Sequence, residues 1–337
     1  MEIAMFKART LIIAAIGLVP VGAWLFACVA ASAAGPPAFR QIGAPMPRFL
    51  VDRWVNSPPL QPEGLRGKVV LVDFWEYTCV NWIRTMPFVN AWHARYARKG
   101  LVVIGVHSPE FDFGKRAENI DRGIRDHGLT YPIAIDNEFT TWTAFRNDAW
   151  PTKYLFDAQG KLRGVYIGEG DYPAIEDKIR TLLTEAGAKV LPPLTAEVVA
   201  DRRHNAVARH PQSPETYLGA ERSREGNGVA RIGDWKSEGA YIEHTGGAPA
   251  RIILDFVGGE VNLVLQPGAA GNAELKVKLD GEDVGARRGG DVGEESTARF
   301  DRSGMVRLVR GAGPGAHRLE LETRDDGLRA YSFTFGP

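Results

Sequence analysis

Residues 68–74 (KVVLVDF) form an almost unbroken apolar, β-branched run that opens just after Gly67. Seven residues are too few for a buried helix. A strand without polar alternation must have both of its faces covered. The chain is therefore obliged to build a parallel or mixed sheet with helices packed on it, an α/β layered unit. Residues 101–106 (LVVIGV) and 131–135 supply further strands of the same kind. Between them, Val80, Ile83, Val89, Trp92 and Tyr96 recur at helical spacing, with Pro87 as a kink. Residues 116–127 have helical composition and end at Gly128. The runs 152–156 and 161–167 flank Asp157-Ala158-Gln159-Gly160, a hairpin signal. An amphipathic helix over 172–186 closes a domain expected to span 40–187.

The remainder of the chain is different material. Pro192, Pro193, Pro211 and Pro214 interrupt residues 188–228, which read as a linker. From 229 to 337 the strand-like runs are 250–256, 261–266, 273–279, 297–300, 306–310, 318–323 and 329–335. Turn signals such as Asp280-Gly281 and Asp326-Gly327 separate them. This pattern predicts an all-β jelly-roll sandwich. At the other end, Lys7 and Arg9 precede an apolar segment over 11–31 that finishes in Ala31-Ser32-Ala33. Residues 1–33 read as a secretory signal peptide cleaved after Ala33. An uncleaved membrane anchor and a lipoprotein box ending at Cys28 are the alternatives. All three place the chain in the periplasm or outside the cell. With 41 basic and 41 acidic residues in balance, nucleic acid and anionic membrane are poor candidates for partners.

The chemistry lies just beyond the first strand. The stretch Val72-Asp73-Phe74-Trp75-Glu76-Tyr77-Thr78-Cys79-Val80-Asn81-Trp82 places a cysteine at the start of the helix that follows. This resembles thioredoxin. Asp73 stands six residues before Cys79 and Pro87 eight after it, and Trp150-Pro151 precedes the hairpin where that family has its cis-proline. Over residues 40–337 the chain is similar to thioredoxin-like (redoxin) proteins of the DipZ type. The stretches that carry the similarity are Tyr77 to Asn81, Arg84-Thr85-Met86-Pro87, 102–111 (VVIGVHSPEF), 213–219 (SPETYLG) and 261–264 (VNLV). The resemblance implies a thioredoxin fold followed by a carbohydrate-binding-module-like sandwich. It also implies a protein thiol or disulfide as partner, a glycan ligand for the sandwich, and a membrane electron donor of the kind that larger relatives carry on the same chain. Trp235, Tyr241 and Tyr331 would be the sugar platform in that case, but core packing is the favoured reading of these residues.

One departure from the family governs the function. The family pattern is Cys-x-x-Cys, whereas this chain has Cys79-Val80-Asn81-Trp82. Of its two cysteines, Cys28 falls in the leader, so Cys79 is expected to be the only thiol of the mature protein. Dithiol exchange needs a second thiol to resolve the mixed disulfide from within, and Trp82 cannot supply one. The expectation is a monothiol oxidoreductase homologue that forms mixed disulfides or a sulfenic acid at Cys79. The helix N-terminus and Arg84 would favour the thiolate. The alternative is a redox-inactive protein that binds a partner or a glycan. A one-cysteine peroxide reductase ranks below both, because Pro-x-x-x-Thr-x-x-Cys is absent.

Asp73 is expected either to serve proton transfer or to persist as a buried acid. Pro151 should shape the groove beside the thiol, with Trp75, Trp82 and Trp150 as its walls; core packing is the close alternative for Trp75. Glu76 reads as solvated surface and His107 as a loop residue. Without a phosphate-binding glycine motif or a histidine pair at ligand spacing, no cofactor and no metal are expected.

Overall fold

The computed structural model describes residues 41–198 and 212–336. The expected leader with Cys28, and residues 199–211 of the expected linker, lie outside the described residues. The first domain contains strands β1 (Arg53–Val55), β2 (Val69–Trp75), β3 (Leu101–His107), β4 (Ile133–Ile135), β5 (Thr152–Phe156) and β6 (Leu162–Ile167). Its α-helices are α1 (Val80–Tyr96), α2 (Ala117–Asp126), α3 (Thr140–Ala144) and α4 (Tyr172–Glu185). The sheet order is β1-β4-β3-β2-β5-β6. β2 runs parallel to β3 and antiparallel to β5, so the apolar run 68–74 is a central strand.

All seven residues of β2 are buried. The alternation of a strand explains how. Val69, Leu71 and Trp75 join the core beneath α1 and α4, with Trp92, Ile179 and Leu182. Val70, Val72 and Phe74 enter the opposite layer, with Phe145 and Tyr154. Burial of each Val or Leu contributes about 1.5–3 kcal/mol. Asp73 has the same parity as Leu71 and Trp75, so it sits on the face covered by α1.

The second domain is made of β7 (Thr216–Tyr217), β8 (Val229–Ile232), β9 (Trp235–Ser237), β10 (Ile242–His244), β11 (Ala250–Val257), β12 (Glu260–Gln266), β13 (Ala273–Leu279), β14 (Glu282–Asp283), β15 (Thr297–Phe300), β16 (Gly304–Arg310), β17 (Ala316–Thr323) and β18 (Arg329–Gly336). They form two antiparallel sheets. One has the order β16-β12-β18-β10-β9, with β7 on β18; the other is β14-β13-β17-β11-β8, with β15 on β13. Strict alternation in β13 turns Leu275, Val277 and Leu279 into the shared core. β7 and the buried Leu218 belong to the sandwich, so the sandwich takes up part of the stretch that reads as linker.

β12 breaks the alternation, with five buried residues in succession. Val261, Leu263 and Leu265 face the sandwich core, while Val264 joins the hydrophobic cluster of the first domain. The outer face of this sheet is therefore packed against the α/β unit. Tyr331 of β18 does the same, with ring centroids 4.8 Å from Phe111 and 5.1 Å from Phe113. Tyr241 lies 5.2 Å from Tyr331, beneath the Arg329 guanidinium. The Trp235 indole donates to the Ile232 carbonyl. These three aromatic residues are engaged in packing and do not form an open platform. No helix among the described residues is long and apolar enough to cross a membrane.

Candidate active site

β2 ends at Trp75, and four residues later Cys79 takes the N-cap position of α1 with extended backbone angles. Its N–H donates to the Glu76 carbonyl at 3.2 Å, and its carbonyl accepts from Ile83 at 3.0 Å. The side chain is half-buried, with Sγ 3.9 Å from the Trp150 carbonyl oxygen. The Trp150-Pro151 bond is cis and Pro151 is buried, so Cys79, Trp150 and Pro151 meet at one place. Trp150 is half-buried against Trp142, 4.4 Å between ring centroids.

Trp82, where the family carries its second thiol, is fully buried. Its ring lies 4.6 Å from that of Trp75, which is equally buried, so neither presents a groove face to solvent. The Trp82 Nε1–H donates to Asp73 Oδ2 at 3.0 Å. Asp73 Oδ1 is 3.3 Å from Lys153 Nζ, itself 1 % exposed. Lys153 donates to the Thr85 hydroxyl at 3.2 Å, and that hydroxyl donates to the Trp82 carbonyl at 3.0 Å. Asp73, Lys153, Thr85 and Trp82 thus close a buried polar ring. Burial pushes the Asp73 carboxyl upward, against the Lys153 charge and the Trp82 and Lys153 hydrogen bonds. A buried charge is tolerable only when paired in this way.

The thiol is not activated as the sequence suggested. Burial pushes the Cys79 thiol well above its ordinary range, and the Glu110, Glu215 and Glu76 carboxylates add to the rise. The Trp82 backbone N–H, supplied by the helix start, is the one opposing influence among those named. Arg84 does not help, because its guanidinium is turned away to Glu169 (3.3 Å), Glu260 (3.1 Å) and the Phe335 carbonyl (3.2 Å). At this helix N-terminus, desolvation and like charge outweigh the dipole.

Two further expectations are corrected. Glu76 is fully buried rather than solvated. Its Oε2 accepts from the Thr78 N–H at 2.6 Å and from the Thr78 hydroxyl. Burial, reinforced by Glu110, pushes the Glu76 carboxyl up to about 8 despite those bonds. His107 is the last residue of β3, opposite Trp75 in the parallel register, and not in a loop. It is buried between Trp75 and Tyr77, and burial, with a smaller push from the Arg53 charge, takes its imidazole down to about 3.

Sequence reasoning missed Lys153, Thr85, Glu110 and Tyr217. Glu110 accepts from the Tyr217 hydroxyl at 2.7 Å and from Arg222 at 2.9 Å, tying the β3 loop to the sandwich. Lys153 left a signal, being the single charged residue in the otherwise apolar or neutral β5 (TKYLF). Glu110 left none, since its role depends on a domain more than a hundred residues away. Among the described residues, no group of three His, Cys, Asp or Glu side chains could hold a metal ion.

Residues 42–165 match the AhpC/TSA family, and residues 224–336 match the thioredoxin-like C-terminal domain. The DipZ proteins of Mycobacterium bovis and Mycobacterium tuberculosis are 34% identical to this chain over 314 residues, covering 85% of it and 42% of their own length. The chain thus spans less than half of those relatives. The thiol-disulfide oxidoreductase YkuV of Bacillus subtilis is 28% identical over 142 residues, 42% of this chain and 95% of that protein. A solution structure of a thioredoxin-like protein in the oxidized form is 30% identical, covers 42% of this chain and 97% of its own, and has a TM-score of 0.40.

Proposed function

Taking as premise that this chain is a thioredoxin-like protein, an AhpC/TSA-type redoxin domain joined to a thioredoxin-like C-terminal domain, we propose that it is an exported monothiol. In this reading Cys79 forms mixed disulfides with partner proteins and does not resolve them itself. The observation that carries it is the Trp82 indole, buried where the motif would carry its second cysteine and bonded to Asp73. The Cys79 thiolate attacks one sulfur of a partner disulfide. One S–S bond breaks, a Cys79–partner disulfide forms, and the other partner sulfur leaves as a thiolate that takes up a proton. No neighbouring thiol then displaces the partner, so release waits for an external thiol. Asp73 acts here as the buried anchor of the Trp82–Lys153–Thr85 ring. Pro151 and Trp150 border the space in which a partner sulfur would approach Cys79. Export rests on the leader composition of residues 1–33.

The raised thiol pKa makes attack slow at neutral pH and works against the sulfenic-acid route, because both follow the thiolate fraction. The same observation favours a second reading, a redox-silent binding protein in which Cys79 is a packing residue. Trapping separates the two. In a Cys28→Ser background, Cys79-dependent disulfide-linked partners that vanish in Cys79→Ser support the monothiol. Identical partner capture by both forms, with no disulfide, supports the binding protein.

A further inference from the structure

Between the first turn of α1 and the outer face of β12 and β16 lies a cleft of about 410 Å3. Part of its wall is apolar: Val80 and Ile83, one turn apart on α1, and Met305 on β16. Two of the arginines that line it are already matched, Arg84 by Glu260 at 3.1 Å and Arg307 by Asp291 at 2.8 Å. Two others are not. Among the described residues, no carboxylate is within ion-pair distance of Arg122 or Arg302. Arg122 donates to the Asn119 amide oxygen at 2.6 Å, and Arg302 meets Asp291 only through its longer-range field. The third unmatched group is Asn262, 4% exposed, whose Nδ2 has no acceptor. A bulge between Val261 and Asn262 in the β12–β16 pairing locally re-aims the strand here. A buried N–H donor left without an acceptor is costly, and a ligand oxygen would offset that cost.

We infer that this cleft binds a short peptide segment bearing a carboxylate. Arg122 and Arg302 pair with the carboxylate, the geometry for which guanidinium groups are suited. The Asn262 amide donates to a peptide carbonyl, and an apolar side chain lies along Val80, Ile83 and Met305. The volume is at the small end for ligand sites and suits two or three residues. Asp126, also in the lining, offers an acceptor for a peptide N–H and disfavours a polyanion such as phosphate. Cys79 is not among the residues that line the cleft, and the inference does not require the thiol to react.

The test uses the full chain with Cys79→Ser, so that failure of the thiol chemistry cannot be mistaken for failure of the cleft. Calorimetric titration with acetyl-Leu-Glu-Gly-amide, its Gln counterpart and inorganic phosphate compares the probes. The expected result is saturable one-to-one binding of the Glu peptide, with the Gln peptide about tenfold weaker. Arg302→Ala, an exposed site whose loss leaves folding intact, should weaken the Glu peptide by a similar factor. Asn262→Asp should abolish binding, and the Asn262 side-chain amide resonances should shift on titration of the parent. Equal binding of the Glu and Gln peptides, no binding of either, phosphate binding tighter than peptide, or an unchanged affinity in Arg302→Ala would each overturn the inference.

Discussion

Replacing Trp82 with cysteine restores the family motif and removes the keystone of the buried ring in one step. Trp82 is fully buried, stacked 4.6 Å from Trp75, and supplies a 3.0 Å hydrogen bond to Asp73. Truncating a buried tryptophan costs about 3–5 kcal/mol through lost contacts and a residual cavity. Asp73 also loses a donor, which adds about 1–3 kcal/mol, moderated because Lys153 remains 3.3 Å away. Against a total stability of roughly 5–15 kcal/mol, Trp82→Cys should fold but unfold at a clearly lower urea concentration. Its new thiol stands three residues from Cys79 on one helical turn, so the two can meet. Turbidity from insulin reduction by dithiothreitol, in a Cys28→Ser background, should stay near the uncatalysed rate for the parent and accelerate for the variant. Urea midpoints measured alongside should show the destabilisation, and Asp73→Asn added to Trp82→Cys should cost less than it does alone, because the two sites share one network. A variant as stable as the parent would show that Trp82 does not hold the buried ring together, and a parent that already accelerates insulin reduction would show that it needs no second thiol.

Glu76 and Glu110 provide two more tests. Because the Glu76 carboxyl stays protonated up to about 8 in the fold but ionises near 4.5 in its ordinary state, the folded chain binds the extra proton between those values. Stability from this group therefore falls as pH rises from about 4.5 to about 8, by on the order of a few kcal/mol. Glu76→Gln, which keeps an acceptor for Thr78, should lose that decline, so Tm should drop less than in the parent on going from about pH 5 to about pH 8. A parallel decline in both proteins would count against a buried neutral Glu76. Glu110→Gln removes the largest like-charge influence on the thiol while leaving an oxygen for Tyr217 and Arg222. Iodoacetamide should then modify Cys79 roughly 3–10-fold faster at about pH 8, since reactivity follows the thiolate fraction; an unchanged rate would mean that burial alone holds the thiol up.

Most of the fold was legible because local pattern and tertiary role coincide. The run 68–74 could only be a doubly covered strand, and β13 carries its core face openly in Leu275, Val277 and Leu279. β12 was harder, because Val261 and Leu263 announce a strand while Asn262 and Val264 between and after them are buried too, Val264 in the cluster of the other domain. The site divides along the same line. Cys79, Asp73, Trp82, Trp150 and Pro151 sit in one strand–helix motif and one turn, where spacing along the chain fixes spacing in the fold. The charge around the thiol does not follow from spacing. Glu110 comes from the loop after β3 and is bonded to Tyr217 and Arg222 of the second domain, Glu215 comes from the segment that leads into that domain, and Arg84 is drawn off by Glu260 of the sandwich. Glu76 was misread because a carboxylate beside an exposed-looking turn is usually solvated, whereas here Thr78 supplies its hydrogen bonds within the core.

In the proposed function Cys79 acts without a resolving partner. The stoichiometry of a chromogenic disulfide tests it most directly. The folded protein in a Cys28→Ser background, mixed with excess 5,5′-dithiobis(2-nitrobenzoate) at alkaline pH, should release one thionitrobenzoate and keep the other as a stable adduct on Cys79. The same adduct in Trp82→Cys should release its second equivalent spontaneously. Spontaneous loss of a second equivalent from the parent protein would mean that it resolves its own mixed disulfide.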